Sequence, residues 1–251
     1  MLFRSFIMLK NMQSLFWNLA FKFSVLIVVA AFSKIFIVSF FRIPSNSMQP
    51  TLFVGDYIVV AKFIYGARLF NVFLTLKGQK TEIYRPLGFR DIRKNDVVVF
   101  NAPYFITKNK LEMNISKYYV KRCIGVPGDS VSLFFNNIES KVYIPHKGDS
   151  VLINNDNYMY YYKLIAWEQD DIAKVTCKDS LILLDNSKLS GYRFKQNYYY
   201  VIGDNYINSE DSRNWGLLPE DYIVGKACFI WKSIDVNTGK YRFNRFFKMI
   251  E

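Results

Sequence analysis

From Phe23 to Phe41 the chain is almost wholly apolar, interrupted only by Ser24, Ser33, Ser39 and Lys34. A run of that length crosses the hydrocarbon core of a bilayer as one helix, so the rest of the chain must fold as a body tethered to a membrane. A cleaved leader is the rival reading, because Ala31-Phe32-Ser33 resembles a small-x-small processing site, but the apolar run continues past it to Phe41. Lys34 lies toward the far end, where its long stem can carry the charge to the headgroups. Arg4, Lys10 and Lys22 come first, with no acidic residue among them, which predicts a cytoplasmic N-terminus and a folded domain on the outer side. A second apolar stretch, Leu2 to Leu19, is interrupted by Lys10, Asn11, Gln13 and Asn18 and reads as interfacial.

The 251 residues suffice for one large domain or two smaller ones. With 23 Phe and 18 Tyr, the chain beyond the span favours strands. Segments near Tyr57–Phe63, Val97–Phe100, Tyr118–Ile124, Ser130–Phe135, Tyr158–Leu164, Leu181–Leu184, Tyr198–Ile202 and Ile223–Trp231 read as strands bounded by turn residues. Gly66 to Lys94 reads as an extended ribbon or long loop. The expected architecture is mainly β. It comprises an N-terminal segment 1–22, a transmembrane helix 23–41, an antiparallel β domain from 42–133 and 198–251, and an inserted β subdomain at 134–197, where Asn, Lys, Asp and Tyr become frequent.

The net charge of +12 invites a nucleic-acid reading. No recognition-helix pattern or zinc-ligand spacing accompanies it, so attraction to anionic membrane lipid is the simpler account and no nucleic-acid partner is expected. Cys123, Cys177 and Cys228 form no metal-ligand cluster; they read as core thiols, or as a Cys177–Cys228 bridge in an oxidising compartment. No cofactor is expected. The one histidine, His146, lies in the turn Pro145-His146-Lys147-Gly148-Asp149 and is a poor candidate for a held imidazole.

Two prolines bracket a short turn at Ser45-Asn46-Ser47-Met48. Each restricts the residue before it to an extended conformation, so the turn is held between extended arms and can present Ser47 to a cleft. A serine hydroxyl needs a neighbouring base. In Tyr119-Val120-Lys121-Arg122-Cys123, strand alternation sends Lys121 and Arg122 to opposite faces. Arginine keeps its proton, so Lys121 is the candidate base, provided burial lowers its pKa.

Four blocks then carry a family resemblance. They are Ile43-Pro44-Ser45-Asn46-Ser47-Met48-Gln49-Pro50-Thr51-Leu52 with Gly55-Asp56-Tyr57-Ile58; Asn95-Asp96-Val97-Val98-Val99-Phe100; Tyr119-Val120-Lys121-Arg122 with Gly125-Val126-Pro127-Gly128-Asp129; and Gly203-Asp204-Asn205 through Asn208-Ser209-Glu210-Asp211-Ser212-Arg213-Asn214-Trp215-Gly216. In this order, behind a membrane anchor, they resemble bacterial type I signal peptidase, a Ser/Lys serine endopeptidase of the cytoplasmic membrane. The resemblance implies that Ser47 is the nucleophile and Lys121 the general base, with Ser47 N–H and the Ser45 hydroxyl as oxyanion donors. It implies that Ser209 orients the lysine, that Asp211 and Arg213 form a supporting salt bridge, and that Gly203 is a close-packed backbone position. Phe41, Ile43, Leu52, Ile58, Tyr119 and Val120 match the walls of pockets for small residues at −1 and −3 of secretory preproteins, the implied substrates. Tyr206 and Ile207 stand where the family carries a charged pair and are expected to be rim. The non-enzymatic alternative is an anchored β scaffold. A Ser-x-x-Lys motif of the penicillin-binding type is absent.

Overall fold

The computed structural model describes residues 2–76, 81–105, 111–135, 138–169, 175–178 and 181–251. Helix α1 (Leu2–Phe32) is continuous and passes through a π-helical turn, Ser33–Ile37, directly into strand β1 (Val38–Arg42). Its apolar, membrane-length portion is the 23-residue stretch Leu15–Ile37. The end of the anchor therefore differs from the expected Phe41. The stretch Leu2 to Leu19 is part of the same helix, because Lys, Asn and Gln dilute its apolarity without breaking its backbone hydrogen bonds. Val38 to Phe41 are strand, paired antiparallel with Ala61 to Ile58 of β2 (Asp56–Ala61), since the β2 edge gives these β-branched and aromatic residues a ladder. Lys62 closes the junction: its N–H donates to Ile37 O at 2.8 Å and its Nζ to Lys34 O at 2.8 Å, satisfying carbonyls that a helix end leaves open.

The main sheet is antiparallel throughout. Its order is β1, β2, Ile223–Ser233, β3 (Val97–Phe105), β4 (Leu111–Gly125), Tyr198–Ile202 and Leu218–Pro219, with Lys248–Met249 added to Ile223–Ser233. Between β4 and Tyr198 the chain forms the hairpin Ser130–Phe135 with Ile138–Tyr143, the pair Ser150–Leu152 with Gly191–Arg193, and a three-stranded sheet around Leu181–Leu184. The expected strand at Tyr158–Leu164 is instead a helix, Tyr158–Glu168. Tyr161, Leu164, Ile165 and Glu168 are buried at helical spacing. The Glu168 carboxylate is satisfied there by Tyr192 OH at 2.9 Å, Tyr198 OH at 2.6 Å and Lys195 N–H at 3.0 Å. The segment 134–197 shares one core with the sheet: Tyr161, Ile165, Val175 and Phe194 pack in the cluster that holds Phe100, Tyr198 and Tyr222.

Among its described residues, Gly66 to Lys94 is largely irregular, with a short helix Val72–Leu76 and one bridge, Leu69 to Tyr84. Two arginines tie it down. Arg68 donates to Asp221 O at 2.8 Å and Asn101 Oδ1 at 2.6 Å, and Arg85 to Gly66 O at 2.9 Å and Ile223 O at 2.6 Å. Cys123 is buried, Cys177 is exposed and Cys228 is half-buried; all three are free thiols, so the Cys177–Cys228 bridge is not formed.

A second core cluster lies under the Ser47 turn and includes Ile43, Met48, Leu52, Ile58, Val99 and Ile230. Behind it the fully buried Asp56 accepts from Phe53 N–H at 2.8 Å, Ser233 Oγ at 2.6 Å, and Arg245 at 3.0 Å (Nε) and 2.6 Å (Nη2). Arg245 also donates to Thr51 O at 2.9 Å and Arg242 to Val54 O at 2.6 Å, so the C-terminal segment braces the loop that carries Ser47.

Candidate active site

Ser47 is held by its neighbours. Ile43, Met48 and Leu52 are buried while Ser45 and Asn46 are exposed, so apolar anchors on both sides fix a turn whose polar tip faces out. Gln49 N–H donates to Asn46 O at 3.0 Å and Leu52 N–H to Met48 O at 2.8 Å. The 203–209 loop supplies the outer support: Asn205 N–H donates to Ser47 O at 3.0 Å and its side-chain amide to Asn46 O at 3.2 Å. The Ser45 and Ser47 hydroxyls lie 3.4 Å apart.

β4 brings the lysine from the other side. Lys121, opposite Val98, is 3% exposed, and its Nζ sits 2.7 Å from Ser47 Oγ. Burial favours the neutral amine and brings its pKa down to about 8, against opposing pulls from Asp211 and Glu210. Alternation sends Arg122 the other way, into a two-pronged bond with Asp204 at 2.8 and 2.7 Å and a contact with Thr51 Oγ1 at 3.2 Å.

Asp211 is fully buried and caps the short helix Ser212–Trp215. Burial would raise its pKa, but the hydrogen bonds from Arg213 and the Gly203 N–H outweigh it and hold the carboxyl below its usual range. The Arg213 contacts are 2.8 Å each and the Gly203 contact is 3.0 Å. Gly203 is tightly enclosed: a Cβ there would lie 2.6 Å from Ser47 O and 2.6 Å from Ser209 Cβ. The Ser209 hydroxyl is buried beside the Asp211 carboxylate, whose charge it helps stabilise, and makes no hydrogen bond to Lys121. Ile207 is 90% exposed, as a rim residue should be. Tyr206 is exposed at the rim too, and the Arg213 guanidinium lies 3.8 Å from its ring centroid; a flat aromatic face attracts the cation where the family's charged residue would stand.

Beside Ser47 and Lys121 opens a cavity of about 410 Å3. Phe41, Ile43, Tyr119 and Val120 line it, together with Ser45, Met48 and Lys117. Leu52 and Ile58 do not line it. Both are fully buried in the core behind it, where they support the wall. Two residues without an assigned role emerge: Asn205, which holds the Ser47 turn, and Glu210, which lines the cavity and accepts from Tyr119 OH at 2.8 Å. Their signal was their place inside the Gly203–Gly216 block. His146 is exposed, its Nδ1 3.2 Å from Lys147 O, and is not among the lining residues.

The model of the family described as signal peptidase, peptidase S26, matches residues 16–232. Among similar curated proteins, a signal peptidase I of Buchnera aphidicola is 31% identical, covering 91% of this chain and 78% of its own length. A signal peptidase I of Pseudomonas aeruginosa is 34% identical over 84% of this chain and 70% of its own, and one of Haemophilus influenzae is 28% identical over 84% and 69%. With an antiparallel β body behind a membrane-length helix and a match across nearly its whole length, the chain belongs to the peptidase S26 family of signal peptidases.

Proposed function

We propose that this chain is a membrane-anchored serine endopeptidase that removes N-terminal signal peptides from exported preproteins, with Ser47 as nucleophile and Lys121 as general base. The observation that carries the reading is the 2.7 Å approach of a buried lysine amine to a half-buried serine hydroxyl at the edge of an apolar cavity. With its pKa down to about 8, Lys121 is neutral in a useful fraction of molecules near neutral pH and takes the Ser47 proton as Oγ attacks the scissile carbonyl. The Ser47 N–H and the Ser45 hydroxyl stabilise the oxyanion, and the Lys121 ammonium returns the proton to the leaving amine. Water then enters by the same base and releases the acyl group from Ser47.

Ser209 is the residue that orients Lys121: its buried hydroxyl, set beside the Asp211 carboxylate, bonds the amine once Ser47 is engaged. The Asp211–Arg213 pair holds the loop, and Gly203 lets that loop close on Ser47. Phe41, Ile43, Tyr119 and Val120 form pockets that favour small residues at −1 and −3, backed by Leu52 and Ile58. The positive residues Arg4, Lys10 and Lys22 place the N-terminus in the cytoplasm and the β body on the outer face of the inner membrane. Nothing observed favours a non-catalytic scaffold.

The test is cleavage of a preprotein by detergent-solubilised protein. Wild type should release the signal peptide and Ser47→Ala should not; equal activity in both would overturn the reading. Protease added to spheroplasts should digest residues beyond the span, and full protection would reverse the orientation.

A further inference from the structure

Among the described residues that line the cavity, Glu210 is the only acid. It is exposed at the rim, and one carboxylate oxygen is held by Tyr119 OH at 2.8 Å. Tyr119 is itself fixed, stacked on Trp215 with ring centroids 5.6 Å apart. Among the described residues no lysine, arginine or histidine forms an ion pair with Glu210. Lys117 contacts the same tyrosine, 4.9 Å from the ring centroid, and attracts Glu210 without forming an ion pair with it. The result is a positioned negative charge, bonded to the Tyr119 hydroxyl and attracted without direct contact by Lys117 and Lys121, in a cavity that Arg42, Lys117 and Lys121 also line.

We infer that Glu210 is a specificity-determining residue that makes this cleft favour preproteins with a basic side chain, and disfavour those with an acidic one, next to the scissile bond. The inference rests on the assignment of this cavity as the peptide site. In an extended substrate successive side chains point to opposite sides. With −1 and −3 in the apolar floor of Phe41, Ile43 and Val120, the side chains at −2 and +1 face the rim that carries Glu210.

The experiment uses full-length protein in detergent and peptides with Ala at −1 and −3 that carry Lys, Gln or Glu at −2 and, separately, at +1. The readout is the ratio of kcat/KM for the Lys and Glu peptides within each enzyme, so that loss of active protein cancels. At low salt and at a pH above the titration of Lys121, wild type should prefer Lys over Glu about tenfold at one of the two positions, as expected for unit charges a few ångströms apart at a solvated rim. Glu210→Gln should reduce the ratio to about twofold or less, Glu210→Lys should invert it, and high salt should flatten the wild-type preference. A wild-type ratio near one at both positions, or a ratio unchanged in both variants, would overturn the inference while leaving the peptidase reading intact. If the wild type cleaves none of the peptides, the cleft assignment falls and this inference with it.

Discussion

Gly203→Ala is the sharpest test of how closely the Ser47 turn and the 203–213 loop are fitted. The added Cβ would lie 2.6 Å from Ser47 O and 2.6 Å from Ser209 Cβ, whereas real Cβ contacts stay above 3.0 Å. Turning the Ser209 hydroxyl relieves neither, because one contact is a backbone carbonyl and the other the root of a side chain. That carbonyl is also fastened by Asn205 N–H at 3.0 Å, so loop and turn must part by about 0.4 Å or more. Overpacking of this kind costs about 1–3 kcal/mol of stability. A shift near 1 Å at a reacting group costs about 100-fold in rate, so a smaller one should lower kcat about 10- to 100-fold with KM little changed. Single-turnover cleavage of a preprotein gives the rate and thermal unfolding in detergent gives the stability. Activity within about twofold of wild type and an unchanged midpoint would refute the argument that the enclosure around Gly203 sets the position of Ser47.

If Lys121 is the base, activity should rise with pH through an apparent pKa of about 8, because a base must be the neutral amine and burial lowers the Lys121 pKa; a rate independent of pH across that range would remove Lys121 from that role. Lys121→Arg should lose nearly all turnover while circular dichroism stays unchanged, since a guanidinium keeps its proton. Ser209→Ala removes only a hydroxyl beside the Asp211 carboxylate, which keeps its Arg213 and Gly203 bonds, so folding should change little, yet kcat should fall about 10- to 1000-fold if the hydroxyl orients the amine; unchanged kcat would withdraw that role. Arg245→Met takes from the buried Asp56 carboxylate its two shortest cationic bonds and leaves the longer Arg242 contact at 3.6 Å, so it should cost about 3 kcal/mol in thermal unfolding, a loss that an unshifted midpoint would contradict.

The strands that frame the site could be read because each joins a simple pattern to a turn signal: Val97 to Phe100 alternates into both cores, and Ser130 to Phe135 is set off by Pro127-Gly128-Asp129. The proximity of Ser47 and Lys121 was not in the spacing, since 74 positions separate them. It followed only from the order of the four blocks. Tyr158–Leu164 was misread because its tyrosines favour strands and the fourth member of its helical stripe, Glu168, is a carboxylate whose burial depends on Tyr192, Lys195 and Tyr198 far along the chain. The anchor boundary was misread for a related reason. Val38 to Phe41 is as apolar as the helix before it, and only pairing with β2 decides its conformation. Leu52 and Ile58 were grouped with the cavity wall because hydrophobicity does not distinguish a surface that meets substrate from the layer beneath it.

The fusion of the membrane helix to β1 gives the molecule a built-in depth gauge. Ile37 ends the apolar span, β1 runs from Val38 to Arg42, and the next residue, Ile43, is already part of the cavity wall. At about 3.3 Å per residue, β1 covers about 17 Å. The Lys62 bonds to Lys34 O and Ile37 O remove the hinge that a free linker would provide. One strand and no free linker thus join the cleft to the apolar span, so a change in the length of that strand moves the cleft relative to the span. Lengthening β1 by two residues, which preserves which face each side chain takes, would move the cleft away from the span by up to about 7 Å along the strand.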